Sequence, residues 1–198
     1  AAEKGDPIWK ADTLRAAVLA ADARGWQVQV HAIGDAAIRQ ALDAFEGTTP
    51  GRRHRVEHIE TPDPSDLPRF ARLGVVASMQ PQHSDPAITE AWRRNLGPDR
   101  AMRGWPWKAL SQSGAKIAFG TDWPVVPLDP LASIEIASRD LGQDAAIAAW
   151  TSGGAYAEHA EREKGEVREG MLADLTVVDL ERSVVKATVV GGRVVYES

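Results

Sequence analysis

Three side chains stand where short β-prone runs end. His31 follows Val28-Gln29-Val30, His58 follows Arg55-Val56-Glu57, and Asp122 closes the run from Ile117 to Thr121. Imidazole nitrogen and carboxylate oxygen are the donors that zinc and similar divalent ions take. The sequence has no cysteine, which excludes thiolate sites and disulfides and leaves His, Asp and Glu to hold any metal. Each residue also has a plainer reading. A histidine at a strand end is more often a hydrogen-bonded structural group, and Asp122 before Trp123-Pro124 suits a turn. Asp35 after Gly34 reads as a helix N-cap. His54 among Arg52, Arg53 and Arg55 reads as exposed, and His159 in a charged stretch reads as solvated. Trp105, Trp107 and Trp123 read as packing residues. His83 is either substrate-facing or solvated.

The elements that must position these groups alternate. Asp12 to Arg24 predicts a helix, with Leu14, Val18 and Ala17 or Ala21 on one face, Asp12 or Thr13 as cap, and Gly25 as its end. WQVQVHA predicts a strand, and GDAAIRQALDAFEG a helix with Ile38, Leu42 and Phe45 on one face. HRVEHIE is a strand leading into DPSDLPRFARLG. GVVASMQP and KIAFGTD are strands separated by the helix-like WPWKALSQSG. His31 and His58 are 27 residues apart, and His58 and Gln80 are 22 apart, each close to one βα unit. Gln80 to Asp122 is 42 residues, room for a long loop, PQHSDPAITEAWRRNLGPDR. Strand–helix alternation predicts a parallel sheet or a (β/α) barrel. In a barrel the active site lies at the C-terminal strand ends, so His31, His58 and Asp122 are expected to converge. Alternation along the last strand puts Ala118, Gly120 and Asp122 on one face.

Beyond Pro130, LASIEIASRD and DAAIAAWTSGGAYAEHA read as helices, with Gly153-Gly154 as a break. From Val167 the chain turns β-rich, and Gly191-Gly192 between apolar runs signals a hairpin. The expected division is 1–165, barrel units, and 166–198, a small β element. Hydrophobic residues make up 43% of the 198, enough for a packed core, and the net charge is −5 with scattered basic residues. That argues against a nucleic-acid or anionic-membrane partner. No run approaches the roughly 18 apolar residues of a membrane span. Nor does the start look like a signal peptide. The default localisation is cytoplasmic, and the chain reads as beginning in mid-protein.

Taken together, HAIGDAAIRQALDAFE, HRVEHIE, LGVVASMQPQH, FGTDWPV with PLDPLASI, and KGEVREGMLADLTVVDL with VVGGRVVY closely resemble the amidohydrolase 3 family, YtcJ-like members of the metal-dependent amidohydrolase superfamily. The resemblance runs in order from about His31 to the C-terminus. It implies an α/β fold, the C-terminal half of a (β/α)8 TIM barrel (strands five to eight) followed by a small β-sandwich portion. It further implies that His31 and His58 are the strand-five and strand-six metal ligands, and that Asp122 is the strand-eight ligand and proton shuttle. In single-metal members the strand-six histidine contacts the water or substrate instead. The HxH motif of strand one and the strand-four ligand are absent from this sequence.

The implied reaction is hydrolysis of a C–N bond in a small amide or cyclic amide, not a peptide. The cofactor is one or two divalent ions, zinc first, with iron, nickel and manganese compatible. Asp122 would move the proton, and Gln80 and His83 are candidates to touch substrate. A competing reading is a non-catalytic fragment or subunit that pairs with another chain to complete a barrel. Its exposed edge at WQVQVHA or KIAFGTD would then drive self-association. A sugar- or phosphate-binding α/β domain is a third reading, weakened by the lack of a Gly-rich loop after any strand.

Overall fold

The computed structural model describes residues 5–198. Within them the fold is α/β, with strands β1 (Gln29–Gly34), β2 (Arg55–Thr61), β3 (Val76–Met79) and β4 (Ile117–Phe119) in the order β1-β2-β3-β4. β1 with β2 and β2 with β3 pair in parallel. The chain divides into two compact units, Ala1–Met79 with Glu90–Ile117, and Gln80–Thr89 with Ala118–Ser198.

In the first unit, helices α1 (Ala11–Ala23) and α2 (Asp35–Phe45) flank β1 in sequence. α2 forms because alanines and leucine favour helix, and its apolar residues recur at positions four and seven after Ile38. Ile38, Leu42 and Phe45 are fully buried, as their spacing predicts. They join Val56, Ile59, Phe70, Val76 and Met79 in the core of this unit. Helix α3 (Leu67–Leu73) follows a 3-10 turn at Pro64–Asp66, which Asp63 caps by accepting from the Ser65 N–H. It ends at Gly74 in the left-handed conformation (φ 64°), where glycine carries no Cβ penalty.

Three local expectations are corrected. Helix α1 starts at Ala11, so its N-cap is Lys10, with no side-chain cap, and Asp12 sits in the first turn. Gly34, not Asp35, occupies the α2 cap position; Asp35 is the first helical residue and accepts the Ala36 N–H at 2.8 Å. β1 begins at Gln29 rather than Trp26, and Trp26 stays exposed.

The long segment after Gln80 is not a loop. It forms a 3-10 turn (Pro81–Ser84), helix α4 (Pro86–Leu96) and the short α5 (Pro98–Ala101). Each of these helices starts on a proline, whose fixed φ suits the first helical position, and Arg93 and Arg94 lie in the last turn of α4, where the helix dipole favours cations. Its Pro and Asp residues mark helix starts rather than irregular chain. α6 (Trp107–Gln112) precedes β4.

The second unit contains α7 (Pro130–Leu141), α8 (Gln143–Trp150) and α9 (Ser152–Ala157). Asp129 caps α7 by accepting the Leu131 N–H. The break between α8 and α9 falls at Thr151, and Gly153-Gly154 lie inside α9, against the expectation that they interrupt the helix. Strands β5 (Leu175–Asp179), β6 (Val184–Val190) and β7 (Arg193–Glu197) make an antiparallel sheet. Gly191 and Gly192 turn the β6–β7 hairpin with φ of 56° and 77°, the positive pair such a turn requires. Among the described residues no helix is long and apolar enough to cross a membrane.

Candidate functional site

The first unit brings His31 and His58 together. Parallel pairing sets His31 opposite Glu57 and Ala32 opposite His58, so the two histidines stand one register step apart on adjacent strands. Their rings meet edge to face, with centroids 4.4 Å apart and planes at 67°. His31 is exposed and His58 is buried. The backbone around His58 is unusual: His58 has φ 79° and Ile59 has φ 54°. A β-branched residue at positive φ is a clear outlier, and such strain persists only where the surroundings enforce it.

Glu60 follows directly. It is buried, its carboxylate accepts a hydrogen bond from the Trp92 side chain, and burial pushes its carboxyl pKa up against that bond. The Trp105 N–H donates to the Glu60 carbonyl at 2.9 Å. Sequence reasoning passed over Glu60. The available signal was an acidic residue inside the strand, two positions after His58.

In the second unit, Asp122 lies beyond the end of β4, with φ 61° and its side chain 40% exposed. The left-handed residue breaks the strand's alternation, so the face shared with Ala118 and Gly120 does not extend to it. The Val125 N–H closes a turn on the Asp122 carbonyl at 2.8 Å, and Thr121 Oγ1 accepts the Trp123 N–H. His83 is buried, with Nε2 3.9 Å from Asp122 Oδ2. Burial lowers the His83 pKa, opposed by the Asp122 charge, which keeps the imidazole inclined to the neutral form. Gln80 is also buried, and its Oε1 has no hydrogen-bond partner among the described residues. The solvated alternative for His83 is thereby removed.

Two readings of side chains are overturned. His54 is not exposed: it is 2% accessible, stacked on Phe45 at 4.9 Å, with Nδ1 accepting the Val28 N–H and Nε2 3.1 Å from Asp22 Oδ1. The neighbouring arginines point the wrong way as a guide, because Asp22 comes in from α1 to pair with Arg52 and to meet His54 Nε2. Trp123 is 64% exposed, so it is no packing residue, whereas Trp105 and Trp107 are buried as expected. His159 is exposed.

His31 and His58, expected at strand ends, lie inside β1 and β2, each of which continues three residues further. Imidazole and carboxylate side chains on or just past the strands of an α/β fold are donors that metal-assisted hydrolysis uses. The chain belongs to the amidohydrolase family: the family model Amidohydro_3 matches residues 2–196. It is 34% identical to Protein LONG AFTER FAR-RED 3 of Arabidopsis thaliana, over 90% of this chain and 35% of that protein. It is 32% identical to the putative amidohydrolase YtcJ of Bacillus subtilis (strain 168), over 94% of this chain and 40% of that protein. Among solved structures it resembles an uncharacterized metal-dependent hydrolase from Pyrococcus furiosus, with a TM-score of 0.73 and 31% identity over 84% of this chain and 36% of that one. The chain thus spans well under half the length of these relatives.

Proposed function

We propose that this chain supplies the C-terminal half of a (β/α)8 barrel, residues 1–165, and the last strands of a β-sandwich domain, residues 166–198, of a metal-dependent hydrolase. The enzyme cleaves C–N bonds of small amides or cyclic amides other than peptides. The observation that carries the reading is the His31–His58 ring pair on adjacent parallel strands, in a chain of the amidohydrolase family.

The donor set fits a divalent ion, zinc first, with iron, nickel or manganese compatible. His83 Nε2 and Asp122 Oδ2 are 3.9 Å apart, too far for a hydrogen bond. We assign His31, His58 and Asp122 as its ligands. A bound ion would polarise the scissile carbonyl and acidify a water. Asp122, exposed and carboxylate-bearing, accepts the proton of the attacking water and returns it to the leaving nitrogen. Gln80 offers a buried amide to the substrate.

The test is metal analysis and amide hydrolysis by the complete protein. Wild type is expected to hold metal and turn over; His31→Ala and His58→Ala are expected to lose both. Retention of metal in both variants overturns the ligand assignment. A second reading, in which the chain pairs with another to complete a barrel, draws support from the order β1-β2-β3-β4, which leaves β1 and β4 as the outer strands of this sheet.

A further inference from the structure

We infer that Glu60, held by Trp92 and Trp105, is a positioning residue that fixes the orientation of the His58 imidazole. The inference rests on the reading of His58 as a site residue. His58 and Ile59 occupy two successive left-handed backbone positions (φ 79° and 54°) inside β2. Each such non-glycine position is strained and relaxes unless its flanks are pinned. Upstream, β2 is pinned by parallel pairing on both sides: Arg55, Val56 and Glu57 each face a residue of β1 and one of β3. The pairing of β2 with β3 stops at Glu57 and Ser78, just before the left-handed pair.

Downstream, Thr61 faces Gly34 of β1 after a register shift, and the further pin is Glu60. Its backbone carbonyl accepts the Trp105 N–H at 2.9 Å, and its carboxylate accepts from Trp92, whose only side-chain donor is the indole Nε1–H. The two tryptophans are themselves locked. Their rings lie 4.5 Å apart at 31°, and Gly104 lets Trp92 approach so closely that a Cβ there would sit 2.7 Å from Trp92 Cη2. Trp105 is buried and also sits at positive φ (47°). A buried carboxylate needs its hydrogen bonds, so the bond to Trp92 is costly to break, and that cost is what holds the strained pair in place. The imidazole of His58 consequently meets His31 edge to face instead of relaxing with the strand.

The experiment uses the complete protein without metal, with 13C,15N-labelled histidine, and reads the nuclear Overhauser cross-peak between the His31 and His58 rings. Thermal unfolding is recorded alongside. The wild type is expected to show the cross-peak. Glu60→Gln keeps an acceptor for the indole and is expected to keep it. Trp92→Phe keeps the ring but removes the donor, and is expected to lose it while the protein stays folded. Glu60→Ala is expected to lose it too. A cross-peak unchanged in Trp92→Phe overturns the inference, and so does its loss in Glu60→Gln. Because the readout needs neither metal nor turnover, it stands apart from the function: metal binding untouched by His58→Ala would remove the hydrolase reading while leaving the cross-peak result to judge the clamp.

Discussion

His83 Nε2 lies 3.9 Å from Asp122 Oδ2, with His83 buried and Asp122 open to solvent. Burial lowers the His83 pKa, against the opposing Asp122 charge. The pair links the 3-10 turn at Pro81–Ser84 to the segment that leaves β4.

Asp122→Asn is expected to lower kcat of the complete enzyme by about 10²–10⁴-fold, the usual share of a positioned general base. The amide is nearly isosteric, so the unfolding temperature should stay within a degree or two of wild type. Steady-state kinetics on metal-loaded protein, with calorimetry, checks both parts. Wild-type turnover removes Asp122 from the mechanism.

His31→Ala and His58→Ala should each weaken metal binding by more than about tenfold, since even partners one shell further out account for 10–100-fold. Competition against a chromogenic chelator measures this directly. Dialysis against a chelator should abolish hydrolysis, and added zinc should restore it.

Acid should destabilise the chain through His54 and Asp22. Burial lowers the His54 pKa, opposed by Asp22, so the unfolded chain takes up a proton near pH 6.5 that the folded chain resists. Burial pushes the Asp22 pKa up, but hydrogen bonds from Thr49, His54 and Arg52 outweigh it and hold the carboxyl below its ordinary value. The His54 contribution is complete above about pH 6.5 and falls away as pH drops below it; the Asp22 contribution is lost lower, below about pH 4. Unfolding temperatures between pH 7.5 and 5 should decline in wild type and decline less in His54→Gln. Equal slopes would exclude His54 as the cause.

Gly104→Ala should destabilise the protein by about 1–3 kcal/mol, the cost of overpacking. The new methyl would meet both Trp92 Cη2 at 2.7 Å and the Ala101 carbonyl at 3.1 Å, and the stacked indole has little freedom to yield. Chemical denaturation reports the change; an unaltered midpoint would mean that the indole swings away freely.

The 198-residue chain by itself is expected to retain metal poorly, to show no amide hydrolysis, and to self-associate through β1 or β4. A catalytic site normally takes three protein ligands and a closed setting, and open sheet edges template pairing. Sedimentation with metal analysis decides it. A monomer with one tightly held ion and measurable hydrolysis would show that these strands suffice.

By itself the sequence determined what is local and periodic. The buried face of α2 and the β6–β7 hairpin at Gly191-Gly192 follow from residue spacing and turn chemistry, whereas His31 and His58, expected at strand ends, lie inside β1 and β2, each of which runs three residues further. Tertiary structure alone decided what depends on residues distant in sequence. His54 is buried because Asp22, 32 positions earlier, stands 3.1 Å from its Nε2 as a hydrogen-bond partner. Glu60 is buried because Trp92, 32 positions later, supplies the donor. The left-handed turn at His58-Ile59 is invisible in a β-prone run, because the strain is local while the hydrogen bond that holds it comes from the backbone of Trp105.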